Sequence, residues 1–200
     1  MKTFTLLSTV LLASTLAFAA GKADKKAPAE AMMKHEVTGT LRWTGYGVGK
    51  SHSGNLSLKN GEIEMKGKNI TGGMFVIDMA TLKTADSEKL QGHLQSADFF
   101  DIAKFPESTF KITKVEAIKS ATATHKISGD LTIKGKTNPV ELMATVKEAN
   151  GKMTASGSTE IKDRTKFDIV YNSAKFKAIS ALGDKLIEDN IKIELDVTTK

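Results

Sequence analysis

The 200-residue chain is 26% charged and 40% hydrophobic, carries 29 Lys and Arg against 23 Asp and Glu for a net charge of +6, and contains no cysteine. The missing cysteine excludes disulfide staples, a thiol nucleophile and a lipid anchor on cysteine, so stability has to come from an apolar core. The lysines lie scattered beside acids, not in a basic stripe with interleaved aromatics; that argues against a nucleic-acid partner and leaves at most a weak pull toward anionic membrane headgroups.

In chain order, Met1 and Lys2 precede an apolar, charge-free run from Phe4 to Ala20, and Ala17-Phe18-Ala19 supplies the small residues a signal peptidase reads. Residues 1–19 are therefore expected to be a cleaved signal peptide, which sends the mature protein to an envelope compartment, the periplasm. Residues 20–36, AGKADKKAPAEAMMKHE, are Ala- and Lys-rich without a period and read as a flexible tether. Residues 37–200 are long enough for one domain, and no stretch in them approaches the roughly 18 apolar residues of a helical membrane span.

A period of two governs that domain. Ile191, Ile193, Leu195 and Val197 alternate with Lys192, Glu194, Asp196 and Thr198, and Val140, Leu142, Ala144 and Val146 with Glu141, Met143, Thr145 and Lys147. Ten strands are expected, at 37–45, 53–59, 62–67, 69–79, 109–117, 126–133, 138–147, 153–161, 166–171 and 190–198, with some merging. Asn60-Gly61 and Asn150-Gly151 suit type I′ hairpins because both central residues tolerate positive φ. So long a series of hairpins removes its exposed edges by closing, which predicts an all-β fold, an antiparallel β-barrel of about eight strands. A membrane barrel would show the same alternation, but inverting this one would pack Lys192, Glu194 and Asp196 into a narrow lumen.

One segment breaks the pattern. Leu90 and Leu94 are one helical turn apart, with Ser87 available as N-cap, and Phe105-Pro106 forces an extended exit, so a short amphipathic helix carrying Phe99 and Phe100 should be inserted between strands. Residues 93–110, HLQSADFFDIAKFPESTF, closely resemble the signature of the YceI-like family, periplasmic lipocalin-like barrels associated with polyisoprenoid lipids. Residues 127–142, ISGDLTIKGKTNPVEL, are similar to that family's glycine-turned strand pair, Arg164-Thr165-Lys166-Phe167 to its arginine-x-x-phenylalanine element, and Leu182-Gly183-Asp184 to its last turn. Trp43-Thr44-Gly45 and Ser51-His52-Ser53-Gly54 depart from the usual first hairpin, and Asp168 stands where glycine is commoner. The resemblance implies a lipocalin-like fold, a lipid ligand and a homodimer.

Catalytic chemistry finds little purchase. His35, His52, His93 and His125 share no metal-ligand spacing, no nucleophile elbow or phosphate loop is present, and Arg164 is expected to pin a turn through a carboxylate. No enzyme, metal or cofactor is expected beyond a bound lipid. The reading is an exported protein that sequesters or carries a long-chain apolar ligand, an isoprenoid, quinone or fatty acyl lipid. Its candidate lining is Trp43, Phe75, Ile77, Leu90, Leu94, Phe99, Phe100, Phe110, Ile112, Leu131 and Leu142, with His93 placed to hold a polar headgroup. The alternative is a ligand-free envelope protein acting through a protein partner.

Overall fold

The computed structural model describes residues 30–200; the expected signal peptide at 1–19 and most of the tether lie outside them. Eight strands follow in order: β1 (Met32–Gly47), β2 (Lys50–Lys66), β3 (Asn69–Thr84), β4 (Glu107–Ala117), β5 (His125–Ile133), β6 (Lys136–Ala149), β7 (Lys152–Ile161) and β8 (Ile187–Thr199). Each pairs antiparallel with the next, and β8 returns to β1, placing Val37 opposite Thr199, Leu41 opposite Leu195 and Trp43 opposite Ile193. The result is a closed up-and-down barrel.

Closure resolves the two-sided ambiguity of the alternation. Leu41, Trp43, Ile193 and Leu195 face the interior, while Arg42, Lys192, Glu194 and Asp196 lie between them on the outer face, where Lys192 and Glu194 pair at 2.7 Å. The barrel is apolar within and charged without, the reverse of a membrane-spanning one.

Three expectations need correction. Residues 53–59 and 62–67 form one strand: neither Asn60 nor Gly61 has positive φ, and both stay in register with β3, opposite Val76 and Phe75. Gly61 is there for close approach, because a Cβ would come within 2.6 Å of Val37 Cγ2 and 3.0 Å of the Phe75 ring. Residues 166–171 are not a strand. Asp163 caps a 3-10 turn over Arg164–Phe167 by accepting from the Thr165 N–H at 3.1 Å, and Asp168 ends it at φ 60°. Phe167 and Ile169 are buried there, so their alternation imitated a strand. Finally, Met32 to Glu36 are not tether; they extend β1 opposite Lys66 to Glu62. The second hairpin stands, with Asn150 at φ 53° and Gly151 at φ 75°, and Lys134-Gly135 makes another positive-φ turn.

The connections divide unequally between the ends. One end has only residues 67–68, 118–124 and 150–151. The other carries the turns at 48–49 and 134–135 and both long excursions, 85–106 and 162–186. The insert contains the expected helix, α1 (Glu88–Gln95), capped by Ser87 Oγ accepting from the Leu90 N–H at 3.2 Å; the second excursion holds one short turn of helix, α2 (Ile179–Leu182). Buried Leu94 and Phe99 pack with Leu82, Phe167 and Ile169 over this end.

Candidate ligand cavity and its mouth

The interior is hollow. A cavity of about 460 Å³ runs from Val37, Met153 and Thr199 at the tight-turn end to Tyr46, His52 and Lys185 at the other, well within the range of pockets that engulf a small ligand. All twelve candidates line it: Trp43 from β1, Phe75 and Ile77 from β3, Leu90, His93, Leu94, Phe99 and Phe100 from the insert, Phe110 and Ile112 from β4, Leu131 from β5 and Leu142 from β6. The lining extends beyond them to Leu82, Ile161, Ile169 and Tyr171 and to the inward phase of β8, Ile187, Ile191, Ile193 and Leu195. The β8 set was readable as one phase of an alternation, but nothing in a lone alternating run says which phase faces a void.

Phe75 and Phe110 sit side by side on adjacent strands, centroids 6.4 Å apart. Phe110 covers Gly129, where a Cβ would meet its ring at 2.4 Å and the Lys111 carbonyl at 2.6 Å. Trp43, the single tryptophan, is 8% exposed, and its Nε1–H has no acceptor.

Polarity is concentrated at the mouth. His93 shares a hydrogen bond with Asp98 through Nε2 at 2.9 Å, and its ring stands edge-on to Phe99 and Tyr171, centroids 5.0 and 4.7 Å away. His52 and Asp86 pair at 3.1 Å across the root of the insert. Hydrogen bonds from Thr84 and then His52 hold the Asp86 carboxyl below its ordinary range. With Tyr46, Lys50, Asn172 and Asn190, these groups make one polar rim on an apolar shaft. Among the described residues, no three His, Cys, Asp or Glu side chains gather as metal ligands.

Arg164 holds the second excursion in place. It is 2% exposed and donates from Nε to the Glu188 carbonyl (3.0 Å), from Nη1 to that of Ile169 (2.6 Å) and from Nη2 to those of Tyr171 and Ile187 (2.9 and 3.1 Å). It therefore pins the chain mainly through carbonyls, not the expected carboxylate; Asp189 stands by at 3.5 Å as counter-charge. Burial lowers the Arg164 pKa, against the opposing pull of Asp189 and Asp163. For Asp163, burial acts upward, but hydrogen bonds from Lys175 and Thr165 outweigh it and leave the carboxyl below its usual range. Lys134, also buried, donates to the Asp168 carbonyl at 2.8 Å and ties the β5–β6 turn to the same loop.

A closed eight-stranded meander that keeps an apolar shaft open and caps one end with a helical insert is a lipocalin-like barrel. The chain belongs to the YceI-like family: the YceI-like domain model matches residues 22–199. The UPF0312 proteins of Pseudomonas savastanoi pv. phaseolicola and Pseudomonas syringae pv. tomato are 30% identical over 139 residues, 70% of this chain and 68% of theirs. Among solved structures, BcnA of Burkholderia cenocepacia superposes with a TM-score of 0.64 at 18% identity, covering 81% of this chain and 96% of its own. A polyisoprenoid binding domain from Saccharophagus degradans, implicated in plant cell wall breakdown, superposes at 0.62 with 12% identity, over 84% and 99%. Both share the fold.

Proposed function

We propose that this barrel sequesters or carries one long apolar molecule, of the isoprenoid, quinone or fatty acyl class, in the periplasm, after export by the signal sequence at 1–19. The observation that carries the proposal is the cavity: about 460 Å³ of space walled mainly by Phe, Ile and Leu, with its charged side chains and lining histidines gathered at one end and only scattered Ser and Thr hydroxyls elsewhere. A solid barrel of the same strands would be the more stable design, since an unfilled interior forfeits dispersion contacts. Each methylene taken from water is worth about 0.8 kcal/mol gross, so a chain of a dozen carbons offsets the cost of ordering it. The polyisoprenoid-binding neighbour supports this ligand class. Tyr46, Lys50, His52, His93, Asn172 and Asn190 would meet the ligand's polar end, and the apolar shaft its tail.

The test is native mass spectrometry of the mature protein made in the periplasm, followed by solvent extraction of whatever is bound. A discrete long-chain lipid at near one per barrel supports the proposal. A bare mass that stays bare after incubation with quinones, polyprenols and fatty acids rejects it in favour of a ligand-free protein acting on a partner.

A further inference from the structure

Seven large hydrophobic residues are exposed among those described, and three of them share the mouth end: Val48 at 53%, Phe176 at 60% and Ile179 at 66%. Val48 is in the β1–β2 turn. Phe176 and Ile179 are in the second excursion, whose residues 174–181, AKFKAISA, are all exposed. The two segments are neighbours. Gly47 pairs with Ile187, where β8 begins, and the Ile187 N–H donates to the Asn172 carbonyl at 3.1 Å, closing the base of the loop. Residues 173–183 contain two lysines, Lys175 and Lys177, and no acid, and Lys50 and Lys185 line the cavity beside them.

A soluble domain gains nothing by holding a phenylalanine and an isoleucine in water on one loop unless something covers them. The Arg164 pin keeps the loop's base rigid, so the exposure is built in. Apolar side chains flanked by lysines match the interface of a bilayer with anionic headgroups, where the tips enter the acyl boundary and the ammoniums meet phosphate. Lys175 also pairs with Asp163 at 2.5 Å and exposed Asp184 partly offsets its neighbour Lys185, so Lys177 and Lys50, with what remains of Lys185, carry most of the attraction. The insert beside them bears Asp86, Glu88, Asp98 and Asp101 against Lys89 and Lys104, a net negative charge that favours the loop's side of the mouth and would tilt the barrel.

We propose that residues 174–181 and Val48 form a membrane-docking edge that seats the open mouth on an anionic lipid surface, so that the ligand passes between bilayer and cavity without crossing bulk water. The inference rests on the carrier reading and deepens it. The test is flotation of the mature, full-length protein with phosphatidylethanolamine vesicles, with and without phosphatidylglycerol, comparing wild type, Phe176→Ser/Ile179→Ser and Lys177→Gln/Lys185→Gln.

Wild type should float with the anionic vesicles. The apolar double variant, with an unchanged thermal midpoint, should bind about a hundredfold more weakly, and the lysine variant about tenfold or more, with a matching loss in salt. Wild type that does not float, or an apolar variant that floats equally well, overturns the proposal. So does concentration-dependent dimerisation abolished by Phe176→Ser/Ile179→Ser without vesicle binding, which would assign the edge to a second copy. Uptake of detergent-dispersed quinone, read separately, keeps the two readings apart: uptake without flotation removes the docking edge and spares the cavity, and flotation without uptake does the reverse.

Discussion

Replacing Arg164 by methionine tests how the mouth is held. The substitution keeps much of the side chain's volume but takes the donors from four carbonyls, at 2.6 to 3.1 Å, and the counter-charge from Asp189, whose side chain is 18% exposed and whose Oδ1 accepts no hydrogen bond. Hydrogen bonds to a charged group are worth about 1.5–3 kcal/mol each net, though freed carbonyls near the rim recover part of that from water. Stripping one partner from a buried charged pair costs about 3–5 kcal/mol, and losing a desolvated guanidinium gives a little back. The expected loss is about 3–5 kcal/mol in urea unfolding followed by Trp43 fluorescence. Arg164→Lys keeps the charge but cannot reach the carbonyls from three nitrogens, so it should lose about half as much. Adding Asp189→Asn to Arg164→Met should recover part of the loss, because the orphaned carboxylate is then gone. A loss below about 1 kcal/mol for Arg164→Met, where a merely surface substitution would fall, would refute the argument.

Four further outcomes are expected. Phe110→Ala borders a void on one side, so it should cost less than the roughly 3–5 kcal/mol of a solid core while changing which lipids are retained; a full loss with unchanged uptake would mean a filled interior. Because Trp43 is the only tryptophan and lines the cavity, a brominated fatty acid entering the barrel should quench its emission saturably, and quenching equal to that of free tryptophan would place the ligand elsewhere. Gly129→Ala drives a Cβ into the Lys111 carbonyl and should cost about 1–3 kcal/mol, whereas Gly92→Ala, on α1 with nothing within 4 Å, should stabilise by about 0.5–1 kcal/mol; equal thermal shifts would contradict both. Asp163 has its carboxyl lowered by Lys175 and Thr165, so its contribution is intact above the ordinary carboxylate range near 4 and is lost as pH falls through the depressed value. Asp163→Asn should therefore flatten the acid limb of a stability-against-pH curve, and an unchanged limb would show that other carboxylates govern it.

Much of this barrel was legible because its physics is local. Alternation on β6 and β8 put Leu142, Ala144, Ile193 and Leu195 on one face, and Ser87 with Leu90 and Leu94 marked α1. The failures share a cause. Asn60-Gly61 has ideal turn chemistry, yet it runs straight through β2 because its glycine lies beneath Phe75 and Val37, a tertiary demand no local signal carries. Phe167 and Ile169 alternate like a strand but are folded over the mouth by Arg164, whose four carbonyl partners come from segments up to 24 residues away. Seven of the twelve candidate wall residues sit together for a simpler reason, that in a closed barrel every inward phase meets the same space; Leu90, His93, Leu94, Phe99 and Phe100 reach it instead from the insert folded over the mouth. That the side chains leave this space open was beyond reach of pattern alone, because Ile and Phe pack into a solid core as readily as they wall a cavity.

The β1–β8 seam bears on how the chain becomes a barrel. Strands that pair in sequence order can zip as neighbouring hairpins, but Val37 meets Thr199, and Lys200 donates its N–H to the Glu36 carbonyl at 2.9 Å, only after the six intervening strands have curled round. Until that last contact two edges stand open and the shaft's greasy wall faces water, so closure is a late, non-local and slow event. A nascent chain cannot seal itself while β8 is still unmade, so its open edges and apolar wall stay exposed to other chains until the last strand is complete.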